Sequence, residues 1–460
     1  MARLLNGWLG AALALLLVFS AGAAAAQDAV GDWKGTLSVN GRELRLQVHI
    51  SKDETGALSA RLDSLEQGAM GLPLSSITSD GKSLKFDLPI AAAQFAGVWN
   101  GTGWAGQWSQ GGVVLPLTLE PGLFAPTPAA NRPQTPKPPF PYQVLDVTFA
   151  GGGGAKLSGT VTLPQGAGPF PAVVLISGSG PNDRDETIKD HKPFAVIADA
   201  LTRQGIAVLR YDKRGVGKST GDYAAATSAD FADDAAAAVA FLRTRSDIAG
   251  GRIGVIGHSE GGLIAPMVAA RDPKLAFVVL LAGPALNGAE ILKLQVRAKA
   301  EAAGASPEEI EKRVALEGKL LEALGSAKDE ASAKAAVDKV LAETPGLAPN
   351  MAAASRQLAG SPWFRNFVAY DPVPALKALR IPVLALYGDK DFQVPPSANA
   401  EPMKAALRGD KDATVTVMPG LNHLFQLATT GLDDEYGEIE ETISPSALDR
   451  LTAWVKAHAK

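Results

Sequence analysis

RIGVIGHSEGGLIAPMVAA, residues 252–270, is the stretch whose reading decides the fold. It opens on an apolar run, RIGVI, and closes on a helix-like run, GLIAPMVAA. Between them Gly257-His258-Ser259-Glu260-Gly261 satisfies the G-x-S-x-G rule for a hydrolase nucleophile. That rule has a mechanical content. A serine on a sharp turn directly between a buried strand and a helix lifts its hydroxyl above the sheet, and glycines two positions before and after it let the helix pack close behind the turn. Ser259 is therefore the candidate nucleophile.

The same pattern recurs at Gly217-Lys218-Ser219-Thr220-Gly221, and in a chain with 48 glycines the pattern alone carries little information. Context separates the two. Asp212 to Arg214 intervene between Ser219 and the strand IAVLRY, and Gly221-Asp222 follows where a helix should begin. Gly217-Lys218-Ser219 also mimics the end of a phosphate-binding loop, but the first glycine of that motif would fall at Asp212 and no helix opens behind the lysine. RGVGKSTGD, residues 214–222, is expected to be a loop near the site.

Outward from Ser259 the texture is uniform. From about Tyr142, continuous apolar runs such as AVVLISG and FVVLLAG alternate with alanine-rich helical stretches, which predicts a parallel sheet covered by helices on both faces. From about residue 285 to about 370 the rhythm changes to helical periodicity, with Ser306, Pro307 and Glu309 forming the start of a capped helix. This insertion falls between two sheet strands and is read as a helical cap. Within it Trp363, Phe364, Phe367 and Tyr370 either line an acyl pocket or pack the cap on the sheet.

Upstream, residues 27–120 alternate apolar and polar positions in short runs, TLSV, LRLQVHI, SLKFDL and VVLPLTLE, separated by Asn40-Gly41, Asp80-Gly81 and Asn100-Gly101. Such pairs suit positive φ in tight hairpins, so this is expected to be a small antiparallel β-barrel or sandwich, an accessory domain with its own core. Trp33, Trp99, Trp104 and Trp108 are read chiefly as core fillers there. Residues 121–141 contain eight prolines and read as a stiff linker. A chain beginning near Tyr142 is expected to fold and to keep activity.

Residues 1–26, MARLLNGWLGAALALLLVFSAGAAAA, carry Arg3, a short apolar core and an Ala24-x-Ala26 site before Gln27, the pattern of a secretory signal peptide. The expected mature protein is soluble, secreted or periplasmic, without a stable membrane anchor. The 460-residue chain has no cysteine, which excludes disulfides and a lipidated-cysteine anchor, and its net charge of -4 offers no footprint for nucleic acid.

At this point the chain resembles the α/β-hydrolase family of serine hydrolases over most of residues 142–460. YDKRGVGKS, residues 211–219, is similar to that family's D-x-R-G-x-G-x-S loop. ISGSGPNDRDE, GHSEGG and GDKDFQVP resemble more narrowly the bacterial two-domain carboxylesterases related to serine-aminopeptidase-like hydrolases. The resemblance implies an α/β-hydrolase fold and a catalytic order of Ser, then Asp or Glu, then His. Two histidines follow Ser259: His458 sits in the terminal AHAK, whereas His423 lies in PGLNHLF, where the family places its base. In the family's G-x-x-D pattern counted from Gly388 the acid falls on Asp391, with Asp389 two residues away as the other candidate. The oxyanion donors implied are the backbone N–H groups of Glu260 and of Ser179, the latter in a Ser177-Gly178-Ser179-Gly180 loop that departs from the family's histidine-glycine pair.

The remaining histidines have structural readings. His49 alternates into a barrel strand, His191 opens a helix, and the His258 side chain is expected to point away from the Ser259 hydroxyl. No HExxH motif is present, and the chemistry implied needs no cofactor or metal. The expected function is hydrolysis of small carboxylic esters through an acyl-enzyme. An aminopeptidase or other amide hydrolase is the nearest rival, and a binding protein built on the barrel is a rival of another class; oligomeric state is not legible.

Overall fold

The computed structural model of the chain describes residues 27–39, 42–66, 69–91, 93–110, 113–125, 130–344 and 349–460. The expected signal peptide and the Asn40-Gly41 pair lie outside the described residues. Two compact units divide the chain, one ending at Ala125 and the other beginning at Pro126.

In the first unit nine strands form one antiparallel sheet: β1 (Gly31–Val39), β2 (Arg42–Lys52), β3 (Leu58–Ser64), β4 (Ala69–Pro73), β5 (Ser75–Ser79), β6 (Ser83–Leu88), β7 (Ala93–Trp99), β8 (Trp104–Gln110) and β9 (Val113–Pro121). Two meanders, β1 to β4 and β5 to β9, join where β1 pairs with β9, giving a nearly closed barrel. Alternation is what closes it. In β7, Ala93 and Phe95 are buried while Gln94 and Ala96 are exposed, so one face of every strand can turn inward. The interior is tryptophan-rich: Trp33 meets the Trp104 ring edge-on at 5.7 Å, and Trp33, Trp104 and Trp108 are all buried. Gly81 and Gly101 take the positive φ expected of their turns, and the Asp80 and Asn100 side chains each accept two backbone N–H bonds there.

The barrel unit extends slightly beyond the expected boundary at residue 120. β9 runs to Pro121, and the Phe124 N–H donates to Gln47 Oε1 while its ring lies under Lys34 and Arg45.

The second unit is built on an eight-stranded sheet: β10 (Gln143–Ala150), β11 (Lys156–Leu163), β12 (Phe170–Ile176), β13 (Ala207–Tyr211), β14 (Ile248–His258), β15 (Val278–Leu281), β16 (Val383–Gly388) and β17 (Ala413–Met418). Its spatial order is β10-β11-β13-β12-β14-β15-β16-β17, antiparallel through the β11–β13 pair and parallel from β13 onward. This is the α/β-hydrolase fold.

Helices α1 (Pro193–Thr202) and α11 (Pro445–His458) cover one face, burying Phe194, Ile197, Leu451 and Val455 against the sheet. On the other face lie α2 (Ser228–Arg243), α3 (Glu260–Arg271), α9 (Val373–Ala378) and α10 (Pro396–Ala406). Covering both faces explains the unbroken apolar strands: every residue of β15 and β16 is buried. Each leucine-sized side chain so buried stabilises the fold by about 1.5–3 kcal/mol before entropy is counted.

Between β15 and β16 the cap forms from α4 (Gly288–Ala302), α5 (Pro307–Gly325), α6 (Glu330–Ala342), α7 (Pro349–Ala359) and α8 (Pro362–Ala369). It has its own core, including Leu321, Leu324, Val337, Phe364 and Val368. Ser306 and Glu309 cap α5 reciprocally, as the sequence predicts.

The proline-rich segment is not a free linker along its whole length. Arg132, 8% exposed, donates to the carbonyls of Lys189 (2.8 Å), Gly437 (3.0 Å) and Ile439 (2.6 Å). Gln134 bonds the backbone of Thr442 and Ile443. Residues 131–142 are thus a strap on the hydrolase unit. A polar side chain inside a proline run can satisfy buried carbonyls that the prolines cannot, and hydrophobic patterning carries no trace of it.

Candidate active site

Ser259 stands at the junction of β14 and α3 with φ 53° and ψ −118°, a left-handed conformation that a serine adopts only when its surroundings force it. The forcing comes from crowding behind the turn. A Cβ on Gly257 would lie 1.9 Å from the Gly261 carbonyl oxygen, and one on Gly261 would lie 2.0 Å from that of Ile176. Only glycine permits this approach, so both glycines of the motif are used as expected.

Ser219 is a different kind of serine. Its Oγ donates to the Asp212 carbonyl (2.7 Å) and accepts from the Ser158 N–H (2.9 Å), in a buried position. The Asp212 carboxylate accepts a two-pronged Arg184 guanidinium and the Lys218 N–H, and Arg214 grips Asp234. RGVGKSTGD is a loop held by ion pairs.

His423 lies past β17 and Asp391 past β16, both buried, with His423 Nδ1 2.8 Å from Asp391 Oδ2. The other Asp391 oxygen accepts the N–H groups of Gln393 and Val394. The carboxylate is therefore oriented before it meets the imidazole. Asp389 points elsewhere, accepting the Gly420 N–H at 2.6 Å.

The loop after β12 passes directly beside the serine. A Cβ on Gly178 would stand 3.1 Å from the Ser259 Cβ. Among the described residues the N–H groups of Ser179 and Glu260 have no acceptor, which leaves both free to bind one.

Two buried charged pairs surround this centre that the sequence reading did not foresee. His258 Nδ1 lies 3.0 Å from Glu186 Oε1, which also accepts the Gly178 N–H at 2.5 Å, and His258 Nε2 donates to the His423 carbonyl at 3.0 Å. The His258 side chain ties the loop after β12 to the loop carrying His423, its ring centroid 4.8 Å from that of His423. Burial pulls the His258 pKa down; the Glu186 charge and hydrogen bond, with the His423 carbonyl and the Asp391 charge, together outweigh it, and the net shift is upward.

In the second pair Lys213 Nζ lies 3.3 Å from Glu260 Oε2. Glu260 Oε1 also accepts from Ser228 (2.6 Å) and from Trp363 Nε1 of the cap (2.7 Å). Trp363 stacks on Phe367 at 5.2 Å, so these aromatics pack the cap against the residue following the serine.

Elsewhere His49 sits between Asp32 and Asp63 on the barrel, His191 is buried against Thr442 and the Tyr436 carbonyl, and His458 stacks on Trp454. Among the described residues no cluster of His, Asp or Glu is arranged to hold a metal ion.

Residues 189–427 match the family described as serine aminopeptidase, S33. The esterase EstD of Thermotoga maritima is 33% identical over 289 residues, 62% of this chain; the chain spans 61% of that protein's length. Among solved structures, an esterase of Pyrococcus furiosus is similar at 16% identity over 72% of this chain and 99% of that one, with a TM-score of 0.44. A proline iminopeptidase of Mycobacterium smegmatis is similar at 18% identity over 68% and 99%, with a TM-score of 0.42.

Proposed function

The chain belongs to the serine aminopeptidase-like (S33) family of α/β-hydrolases, and from that premise we propose that it is an exported serine hydrolase of small carboxylic esters. The observation that carries the reading is the His423 Nδ1 to Asp391 Oδ2 contact of 2.8 Å, with the His423 carbonyl bonded at 3.0 Å to His258, the residue before the strained turn at Ser259. The esterase name of the Thermotoga maritima relative supports esters over amides as the substrate class.

In this reading Asp391 keeps the Nδ1 proton of His423 in place, leaving Nε2 to take the Ser259 proton. Ser259 Oγ attacks the ester carbonyl. The oxygen that becomes negative is held by the Glu260 and Ser179 N–H groups. Collapse breaks the bond to the alkoxy group, which leaves as the alcohol with the proton from His423, and the acyl-enzyme remains. Water then repeats the sequence: His423 takes its proton, hydroxide adds to the acyl carbon, and the acid leaves as Ser259 recovers its proton.

The test is a panel of p-nitrophenyl esters beside aminoacyl and prolyl p-nitroanilides. Higher kcat/KM on short-acyl esters, lost in Ser259→Ala, is the expected result; higher values on the anilides would make the protein an aminopeptidase. A fluorophosphonate that labels the wild type but not Ser259→Ala separates an enzyme from a binding protein. Export rests on residues 1–26, and the N-terminus of the periplasmic protein, expected at Gln27, checks it. Among the described residues no helix is long and apolar enough to cross a membrane.

A further inference from the structure

Buried Lys213 is used neither by the triad nor by the core, yet it reaches the loop beside Ser259. Its Nζ donates to the Gly178 carbonyl at 2.5 Å, and Asn182 Nδ2 donates to the same oxygen at 2.7 Å. A carbonyl has two lone pairs, and both are taken. The peptide unit joining Gly178 to Ser179 is planar and trans, so its C=O and N–H point in opposite directions. Fixing the Gly178 oxygen fixes the Ser179 N–H.

We propose that Lys213 and Asn182 are positioning residues for acyl transfer: by clamping the Gly178 carbonyl they aim the Ser179 N–H at the oxygen that becomes negative. The proposal rests on the serine-hydrolase reading of Ser259. A second effect follows from the charge. An ammonium on the carbonyl draws electron density out of the amide and makes its N–H a stronger donor, the cooperativity of linked hydrogen bonds.

The remaining contacts suit the same role. The Lys213 stem carries its ammonium over the Phe231 ring, 4.5 Å from the centroid, and Glu260 Oε2 balances the charge at 3.3 Å. Glu260 is itself the residue whose N–H is the other oxyanion donor. Its carboxylate also accepts Trp363 Nε1, so the cap, the lysine and both donors share one buried network. On the outer side Glu186 holds the Gly178 N–H, and the glycine is gripped at both ends.

The experiment uses the full-length protein with Lys213→Met, which keeps an apolar stem over Phe231 but removes the donor, and with Asn182→Ala at a half-buried loop position. Losing an oxyanion donor outright costs about 100- to 1,000-fold in kcat; leaving one unclamped should cost about 10- to 100-fold, with KM on a p-nitrophenyl ester within about threefold. Inhibition by a trifluoromethyl ketone, whose adduct with Ser259 carries the oxyanion, should weaken by the same factor as kcat/KM. Unchanged kcat with a lowered Tm, or a raised KM with kcat intact, overturns the positioning role. Should Lys213→Met fail to fold, Asn182→Ala decides alone, and kcat within twofold of wild type overturns the proposal. Absence of ester turnover in the wild type overturns the serine-esterase reading and the clamp with it, whereas wild-type turnover with unaffected variants overturns the clamp only.

Discussion

His423 Nδ1 stands 2.8 Å from Asp391 Oδ2, while Asp389, two residues nearer the strand, spends its carboxylate on the Gly420 N–H. The two aspartates of GDKDF therefore do different work. Asp391→Asn should lower kcat by about ten-thousandfold with the fold intact, because an amide cannot hold the productive tautomer of His423. Asp389→Asn keeps an oxygen for Gly420 and should cost far less. Paired kinetics and thermal unfolding check both, and a larger catalytic loss at Asp389 would reverse the assignment.

Ser259→Ala should abolish turnover, by about a millionfold in kcat. Ser219→Ala removes one donor and one acceptor from a buried loop and should lower stability by about 1–3 kcal/mol, with kcat affected much less. Urea unfolding measured beside ester hydrolysis separates the two serines.

Arg132→Ala in the full-length protein strips the Lys189, Gly437 and Ile439 carbonyls of their charged donor. A loss of about 2–4 kcal/mol is expected. The same segment bonds the loop carrying His423, through Gln426 to the Glu441 carbonyl, so kcat should fall as well. A chain begun at Tyr142 should consequently be less stable than one begun before Asn131, contrary to the boundary that proline content suggests. Equal melting temperatures for the two would refute the strap.

The raised pKa of His258 has a pH signature. A group whose pKa is higher folded than unfolded contributes stability in full below its unfolded value, about 6.5, and that contribution fades as pH rises through the folded value. In Glu186→Gln the amide oxygen can still accept both N–H groups, but the charge is gone, and burial is opposed only by the hydrogen bond to the His423 carbonyl and the Asp391 charge. The His258 pKa should then fall, and the loss of stability between acid and mildly alkaline pH should flatten. Imidazole NMR titration reads the first effect and unfolding across pH the second; an unmoved His258 resonance would show that Glu186 is not its partner.

Much of the architecture was legible because it depends on neighbours in the chain. Alternation in 27–120 specifies strands with one buried face, unbroken apolar runs after Tyr142 specify strands buried on both, and the Ser306/Glu309 cap needs only residues three apart. The elbow at Ser259 was equally local, since the glycines on either side are what the crowded turn demands. Ser219 could be set aside for the same reason: nothing around it has the strand-turn-helix form.

What only the tertiary structure decided is which distant side chains meet once loops at the strand ends converge. Asp391 and Asp389 have the same chemistry and nearly the same position, and the curl of the loop alone gives the first to His423. Glu186 finds His258 across 72 residues, Lys213 finds Glu260 across 47, and Arg132 finds Ile439 across 307. Hydrophobic periodicity reports backbone conformation and the face that is buried; it is silent on charges buried in pairs, whose stability comes from a partner supplied by another part of the chain.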